Sequence, residues 1–574
     1  MRKSNLVYLA LVLGLLAEGH AAAAPTSAGD MSAAFEREAN ATFARELDRV
    51  DAGAQMERDR MAIERERIME QIAEDEAAKK NKVEQGEAPA VEEAEAEISF
   101  GLQQVIWNPS EILTKEEIQA VTEAYIGKQV ALKDLREMAE RITNLYRDRG
   151  YMTCGAVLPP QRIHDGVVEI RLIEGKTGKV NLTGNRYTKT GYITSRIGLK
   201  PGEIANTDKL NKDLRWFQGT NDVQLRVVMK PGAEEGTTDY DIMVFEPQNQ
   251  SVTLYVDNDG YETSGRWREG IFYNMKSLTG NRDPLRAHFI RSQGTKAWAL
   301  GYSVPISKKG MRLDLDYSGN RTKVIKGELE PGKVKGKSTS FSLTWRVPFH
   351  VTERSRHEAG LQYVHQTTKT DWNQYERYTL VDDKINRVIP YVSFTHYGKD
   401  SVFYHKHSFV LARRNYIDSV TDTKLSDTAK LYRLSSFWQN RTKNGQFWQA
   451  RLDGQLGSND NLGASDRFFI GGVNSVRGYE EGFIGGGKGI SMGIEYHIPV
   501  DKAKRFFVYP FFDWGRVSGY AAPEHNTLMS AGIGLEARYK HLYSTLTVGF
   551  PFKKDFYDDK VDSARVDFSL SATF

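Results

Sequence analysis

The 574-residue sequence predicts a membrane β-barrel of 16 antiparallel strands, preceded by two small α/β modules and an N-terminal helix. Three observations carry that prediction. From Gln250 onward helical periodicity gives way to alternation of apolar and polar residues, the period-two mark of strands with one face in an apolar medium. After the opening residues there is no run of about 18 apolar positions, so no helix is expected to span a bilayer. The chain also opens on the pattern of a secretory signal.

That signal is residues 1–24. Arg2 and Lys3 form a basic start, Leu6 to Ala17 is apolar but too short to cross a membrane, and Ala21 to Ala24 offers Ala-x-Ala cleavage sites. Export is therefore expected. Residues 25–82 are expected to be a helical region. Between 31 and 82 there is no Pro and one Gly, Gly53, and the stretch Met56 to Met69 has strong helix formers throughout. Met61, Ile68 and Ile72 supply only a thin apolar stripe, while opposite charges three and four apart favour a solvated helix. Such a helix buries little alone and needs a host surface or a polar cavity. Residues 83–97, acidic and rich in Ala, read as a flexible linker.

Residues 98–175 follow a β-α-α-β-β pattern. A strand is expected over about Leu102–Trp107. A helix opens at Thr114, where Glu117 completes a capping box. A second helix runs from about Leu132 to Arg149 and stops at Gly150, and strands follow near Gly155–Leu158 and Val167–Ile173. Residues 176–247 repeat the theme, with strands at Lys179–Leu182, Val223–Met229 and Asp239–Phe245 and helices over Tyr187–Ile197 and Thr207–Gln218. The repeat implies a duplicated unit.

In the barrel region, 248–574, Leu313, Leu315 and Tyr317 alternate with Arg312, Asp314 and Asp316. Trp448, Ala450 and Leu452 alternate with Gln449, Arg451 and Asp453. A soluble sandwich also alternates, but its dry core would reject paired Arg and Asp at several kcal/mol per charge. Sixteen such segments start near 251, 268, 284, 296, 311, 337, 357, 387, 402, 430, 446, 489, 505, 527, 541 and 564. An even count lets the sheet close without an edge facing lipid, and 16 strands leave a wide lumen.

Composition narrows the function classes. Tyr (27), Phe (26) and Gly (50) are plentiful, as a barrel requires. A net charge of +3 is too weak to imply a nucleic-acid partner. Cys154 is the one cysteine, which rules out an internal disulfide or thiolate metal cluster and reads as a lone buried thiol.

The longest informative loop is 458–488. It holds Gly471-Gly472 and then Val476-Arg477-Gly478-Tyr479, and is more apolar than an exposed loop would be. This tip resembles the signature of the superfamily of outer-membrane assembly and secretion proteins built from a barrel and POTRA modules. Phe511-Phe512-Asp513-Trp514-Gly515 resembles the second signature, F-x-D-x-G, on the thirteenth strand. The resemblance implies that Arg477 enters the barrel and pairs with Asp513. Alternation agrees: if Phe512 and Trp514 face lipid, Asp513 faces the lumen, and Glu495 on the polar face of the twelfth strand is a second candidate partner, the alternative being a solvated lumen carboxylate.

Leu158-Pro159-Pro160-Gln161 and the segment from Pro231 to Asp239 are similar to marks of two-partner secretion transporters (TpsB). Two POTRA-like modules after an N-terminal helix are that group's layout. The resemblance implies a monomeric outer-membrane pore with periplasmic modules. These capture an unfolded secreted partner (a haemolysin, adhesin or contact-dependent toxin), partly through Leu158 to Gln161, and pass it through the barrel. The helix resembles one that plugs the resting pore. Phe574, the aromatic end of the last strand, is expected to be the insertion signal read by the outer-membrane assembly machinery. An assembly insertase would carry more modules than this chain has room for, and a passive porin or receptor is the reading from another class.

Two further motifs are declined. Gly482 to Gly489 spells most of a P-loop, but Gly489 replaces the Ser or Thr that would bind magnesium, and a strand follows instead of a helix. His405 and His407 share a strand face but lack a third metal ligand. No nucleophile–base pairing points to an enzyme, and no cofactor is expected.

Overall fold

The computed structural model describes residues 47–79 and 99–574, except 375–376, 419–420, 458–460 and 557–558. The expected signal peptide, the first part of the helical region and the linker lie outside the described residues.

The first module, matching the α/β pattern read from sequence, begins with β1 (Ser99–Gly101) and β2 (Gln104–Trp107). Helices α2 (Lys115–Thr122) and α3 (Leu132–Asp148), with β3 (Gln129–Ala131) between them, precede β4 (Cys154–Val157) and β5 (Val167–Glu174). Thr114 and Glu117 do form a capping box. The sheet order is β2-β5-β4, with β2 parallel and β4 antiparallel to the central β5. Leu135, Met138, Ile142 and Tyr146 point from α3 onto Val168, Ile170 and Leu172, an apolar stripe at helical spacing laid on alternate strand positions. Cys154 is buried in this core, and burial pushes its thiol pKa up, which keeps it protonated and inert.

The second module contains β6 (Lys176–Thr183), α4 (Thr190–Thr194), α5 (Thr207–Thr220), β7 (Gln224–Pro231) and β8 (Thr237–Phe245). Its order, β6-β8-β7, repeats the first pairing: parallel, then antiparallel, around the third strand. The helix expected over Tyr187–Ile197 shortens to the five residues of α4. Ahead of it Asn185 turns its side chain onto Thr188 and Thr190, an alternative to helical hydrogen bonding.

Sixteen antiparallel strands close the barrel. The seam joins strand 1 (Gln250–Asp257) to strand 16 (Arg565–Thr573), with Thr573 opposite Thr253. Phe574 extends the seam, exchanging backbone hydrogen bonds with Val252 at 2.9 and 3.0 Å, and its ring, 59% exposed, stacks on His541. The strand starts read from sequence agree with the structure within two residues, save two. Strand 8 (Tyr378–Tyr397) and strand 10 (Lys424–Arg441) begin well before 387 and 430.

The periplasmic end is fixed by the second module. Trp216 Nε1 donates to Lys309 O at 3.0 Å, Arg196 donates to Ser307 O at 3.1 Å, and the buried Arg282 grips Asp222 with two nitrogens. Helix α1 (Ala52–Lys79) lies within the lumen. At 28 residues it is about 42 Å long, enough to run the length of the barrel. Ile68, Met69 and Ile72 pack on Tyr397, Val402, Tyr404 and Phe437 near the periplasmic end. Met61, read as part of the same stripe, is 41% exposed instead.

Candidate functional site: a loop arginine buried in the barrel lumen

The loop between strand 11 (Phe447–Gly457) and strand 12 (Lys488–Pro499) folds back into the lumen. It starts as a short hairpin, Phe468–Ile470 paired with Ile484–Gly486. Gly471 and Gly472 turn it with φ of +111° and +93°, values that favour glycine. The Ser475 hydroxyl ties the turn by contacts of 2.8 Å to Gly471 N and 3.0 Å to Gly471 O. Ile470, Val476, Tyr479, Phe483 and Ile484 then form an apolar core with Val517, Leu528 and Phe556. The apolar character that is odd for a surface loop is thus spent on this packing.

At the tip, Arg477 is 4% exposed and Asp513, on strand 13 (Phe506–Ser518), is fully buried. Arg477 Nε donates to Asp513 Oδ2 at 2.7 Å and Nη2 to Oδ1 at 2.9 Å, a two-point fork onto one carboxylate. The Arg477 backbone N–H adds a third bond to Oδ2 at 3.1 Å. The remaining nitrogen, Nη1, lies 2.7 Å from Glu495 Oε1 on strand 12. The guanidinium plane sits over the Phe511 ring at 3.6 Å, a cation–π contact in a shielded place. Alternation produces this set: Phe511, Asp513 and Gly515 are all buried on the inner face.

The other tip residues fix the depth of insertion. Val476 is buried against Gly515, where an added Cβ would lie 3.0 Å from Val476 Cγ2. Gly478 has φ of +88°, and a Cβ there would sit 3.2 Å from the Gly549 carbonyl carbon. The Tyr479 hydroxyl lies 3.1 Å from Met529 O and 3.0 Å from Lys553 O.

Two residues of the site were not singled out from sequence. Arg451, on the polar face of strand 11, donates to Val473 O at 2.9 Å and Ser475 O at 2.6 Å and reaches Asp513 at 3.3 Å. His497 lies 2.8 Å from Glu495 and is stacked between Phe447 and Tyr509. Inner-face parity marks both; their partners, loop carbonyls and flanking rings, leave no motif.

Helix α1 touches both loop and wall. Arg65 reaches Asp453 at 2.6 Å and donates to Asn474 O at 3.0 Å, beside the tip. Arg58 lies over Phe469 at 4.4 Å, and Arg49 donates to Phe483 O at 3.0 Å. Glu57 pairs with Arg433 at 3.3 Å and Glu64 with Lys406 at 2.5 Å. Asn320 donates to Ala52 O at 2.8 Å, and Gly53 comes so near Thr368 that a Cβ would lie 2.3 Å from its hydroxyl.

Leu158 to Gln161 lie apart from this site. Leu158 packs on the first module's core, and Pro160 and Gln161 are exposed. The Gln161 amide exchanges two hydrogen bonds with the Glu169 backbone, at 2.7 and 2.8 Å, which fixes the segment along β5. His405 and His407 hydrogen-bond each other at 2.8 Å on the outer wall. Among the described residues no group of three or more His, Cys, Asp or Glu is arranged to hold a metal.

Comparison with known proteins adds the following. Residues 236–537 match the family model described as haemolysin secretion/activation protein ShlB/FhaC/HecB, and residues 100–175 match the POTRA domain, ShlB-type. The heme/hemopexin transporter protein HuxB of Haemophilus influenzae is 24% identical over 435 residues, 71% of this chain and 74% of the relative. The outer membrane transporter CdiB of Dickeya dadantii is 22% identical over 478 residues, 79% of this chain and 83% of that protein. Among solved structures, CdiB from Escherichia coli superposes with a TM-score of 0.64 at 16% identity, covering 90% of this chain and 98% of that one. CdiB from Acinetobacter baumannii gives 0.61, also at 16% identity, over 91% and 99%. The two superpositions establish the same fold.

Proposed function

The chain belongs to the haemolysin secretion/activation protein family ShlB/FhaC/HecB, and from that premise we propose how its parts divide the work. It is an outer-membrane β-barrel transporter of the two-partner secretion type, with POTRA structure on the periplasmic side, and it secretes a partner protein. The members of this family are transporters, not enzymes.

The finer reading is ours. Residues 98–175 and 176–247 act as two POTRA modules that receive the unfolded partner, a large polypeptide of the haemolysin, adhesin or contact-dependent toxin kind. Their sheets have edge strands that can add a strand of client by backbone hydrogen bonding. Leu158 to Gln161 contribute to recognition through the exposed Pro160. Helix α1 is the resting plug and leaves the lumen before the partner passes. The contacts of Arg477 with Asp513 and Glu495 hold the loop at a fixed depth while it does. The barrel closes within one chain, which supports a monomer, and Phe574 at the seam is the signal for the assembly machinery.

The observation that carries this reading is that α1 is held in the lumen mainly by charged and polar contacts, with one small apolar patch, Ile68, Met69 and Ile72. A helix held by ion pairs leaves at lower cost than one held by buried apolar area, because water and salt can replace its partners. The test is a tether. A Cβ at Gly336 would lie 2.9 Å from Ala52 Cβ, close to the spacing of about 3.5–4.5 Å that a disulfide needs. With Ala52→Cys and Gly336→Cys oxidised, secretion of the partner should stop, and a reductant should restore it. Normal secretion by the fully cross-linked protein would overturn the plug assignment.

A further inference from the structure

Five strands carry one cation each in a single line on the outer wall. Arg291 on strand 3 (Leu285–Ser292) stands opposite Lys296 on strand 4 (Thr295–Pro305). Lys296 faces Arg321 on strand 5 (Arg312–Lys323), Arg321 faces Lys337 on strand 6 (Lys335–Val351), and Lys337 faces Lys369 on strand 7 (Ser355–Trp372). One step further out, Lys323 also faces Lys335. The line has an acid at each end, Glu269 beside Arg291 at 3.8 Å and Asp382 beside Lys369 at 3.9 Å. Among the described residues, no carboxylate pairs with the middle three, Lys296, Arg321 and Lys337.

Like charges directly opposite in a sheet repel, with Cβ atoms about 4.5–5.5 Å apart. Here four such pairs follow one another, an arrangement that calls for an anion from outside the chain. Strand parity puts these side chains on the lipid-facing wall, on the same face as Trp298, Leu300, Tyr317 and Phe341, which are all exposed. Those apolar residues lie on the periplasmic side of the row. The row is therefore at the far end of the strands from the turns that hold the second module, where the apolar band meets the outer-leaflet head groups. From Phe349 up strand 6 to Lys337 the rise is roughly 30 Å for a tilted strand, just beyond an apolar band of about 25 Å. A groove of about 830 Å³ runs along the row, with Trp267 at one side.

We propose that this row is a binding site for the phosphorylated glycolipid of the outer leaflet. The sugar phosphates lie along Lys296, Arg321 and Lys337, and the acyl chains run down the wall over Trp298, Tyr317 and Phe341. Three features select this occupant: a line of cations matches a multiply phosphorylated sugar, the aromatic residues beneath match acyl chains, and the level is that of the outer head groups. The anchor would orient strands 3 to 7, and α1 rests against the inner faces of strands 5 to 7.

The test uses the full-length protein in detergent and two probes, bisphosphorylated lipid A and the same glycolipid after enzymatic removal of its phosphates. Binding is read by native mass spectrometry and by quenching of a labelled lipid. The unaltered protein should hold the phosphorylated form and release it as salt rises. The variant with Lys296, Arg321, Lys337 and Lys369 each changed to Gln should bind it roughly a hundredfold more weakly. Gel mobility before and after boiling reports whether that variant's barrel has folded. The two-lipid comparison on unaltered protein decides the matter even if it has not. Equal binding of both lipids would overturn the proposal. So would unchanged binding by the variant, full displacement by millimolar inorganic phosphate, or a tighter grip on an acidic polypeptide than on the lipid.

Discussion

Arg477 closes a two-point fork on Asp513 across 36 positions of sequence, at 2.7 and 2.9 Å, with its third nitrogen on Glu495. All three side chains are buried or nearly so, and breaking one partner of such a set costs about 3–5 kcal/mol because a charge is left uncompensated. Arg477→Ala should therefore free the loop tip and abolish or sharply reduce secretion while the barrel still inserts. Partner protein in the medium, set against heat-modifiable barrel in the membrane, measures this. Arg477→Lys should not rescue, since one ammonium cannot satisfy two carboxylates in a planar fork. Normal secretion by either variant would remove the lock from the mechanism.

The two carboxylates are not equivalent. Asp513 also accepts from Arg451 and from the Arg477 backbone, whereas Glu495 shares its charge with His497. Asp513→Asn should then impair secretion more than Glu495→Gln. In a double-mutant cycle with Arg477→Ala, the Asp513 arm should show a coupling of about 1–3 kcal/mol in barrel stability. Equal couplings for both arms would mean that Asp513 has no special place.

How far this site could be read from sequence follows from the physics of each part. Alternation is local, so it assigns Asp513 and Glu495 to the inner face and places them on neighbouring strands. Arg451 obeys the same parity, but its partners are carbonyls of a loop whose path depends on Gly471 and Gly472, and nothing local encodes that path. Strands 8 and 10 start late in the sequence reading because the runs Asp382-Asp383-Lys384 and Ser426-Asp427-Thr428, in their outer parts, are polar on both faces and interrupt the alternation. Beyond the membrane there is no apolar side, and the period-two signal vanishes there while the backbone pairing continues. The row of five outward cations was invisible for a related reason. Each is one charge on one strand, and only the register brings them into line.

Helix α1 makes a separate prediction. It meets the wall through Glu57, Asp59, Glu64 and Arg65, paired with Arg433, Arg268, Lys406 and Asp453. Deleting residues 31–82 should raise single-channel conductance in a planar bilayer. Molar salt, which shortens the screening length to about 3 Å, should increase spontaneous opening of the full chain far more than of the deleted one. Unchanged conductance on deletion would show that the helix does not block the lumen.

The junction of barrel and second module has a buried ion pair at its centre. Arg282, 2% exposed in the turn after strand 2 (Arg268–Met275), puts two nitrogens on Asp222, just beyond α5. Arg312 donates to the Arg282 carbonyl at 2.8 Å and so braces the turn from strand 5. Asp222→Ala leaves the guanidinium buried without its carboxylate, at a cost of about 3–5 kcal/mol. Other ties, Trp216 to Lys309 O, Arg196 to Ser307 O, the Ser277 hydroxyl to Tyr187 O and the Lys189 N–H to Gly280 O, are single hydrogen bonds worth about 1 kcal/mol each. The second module should then swing relative to the barrel. Spin labels on α5 and on a periplasmic turn should show a broadened distance distribution, and secretion should fall although both modules stay folded. A distribution as narrow as that of the unaltered protein would mean that the hydrogen bonds hold the junction and that the ion pair is dispensable.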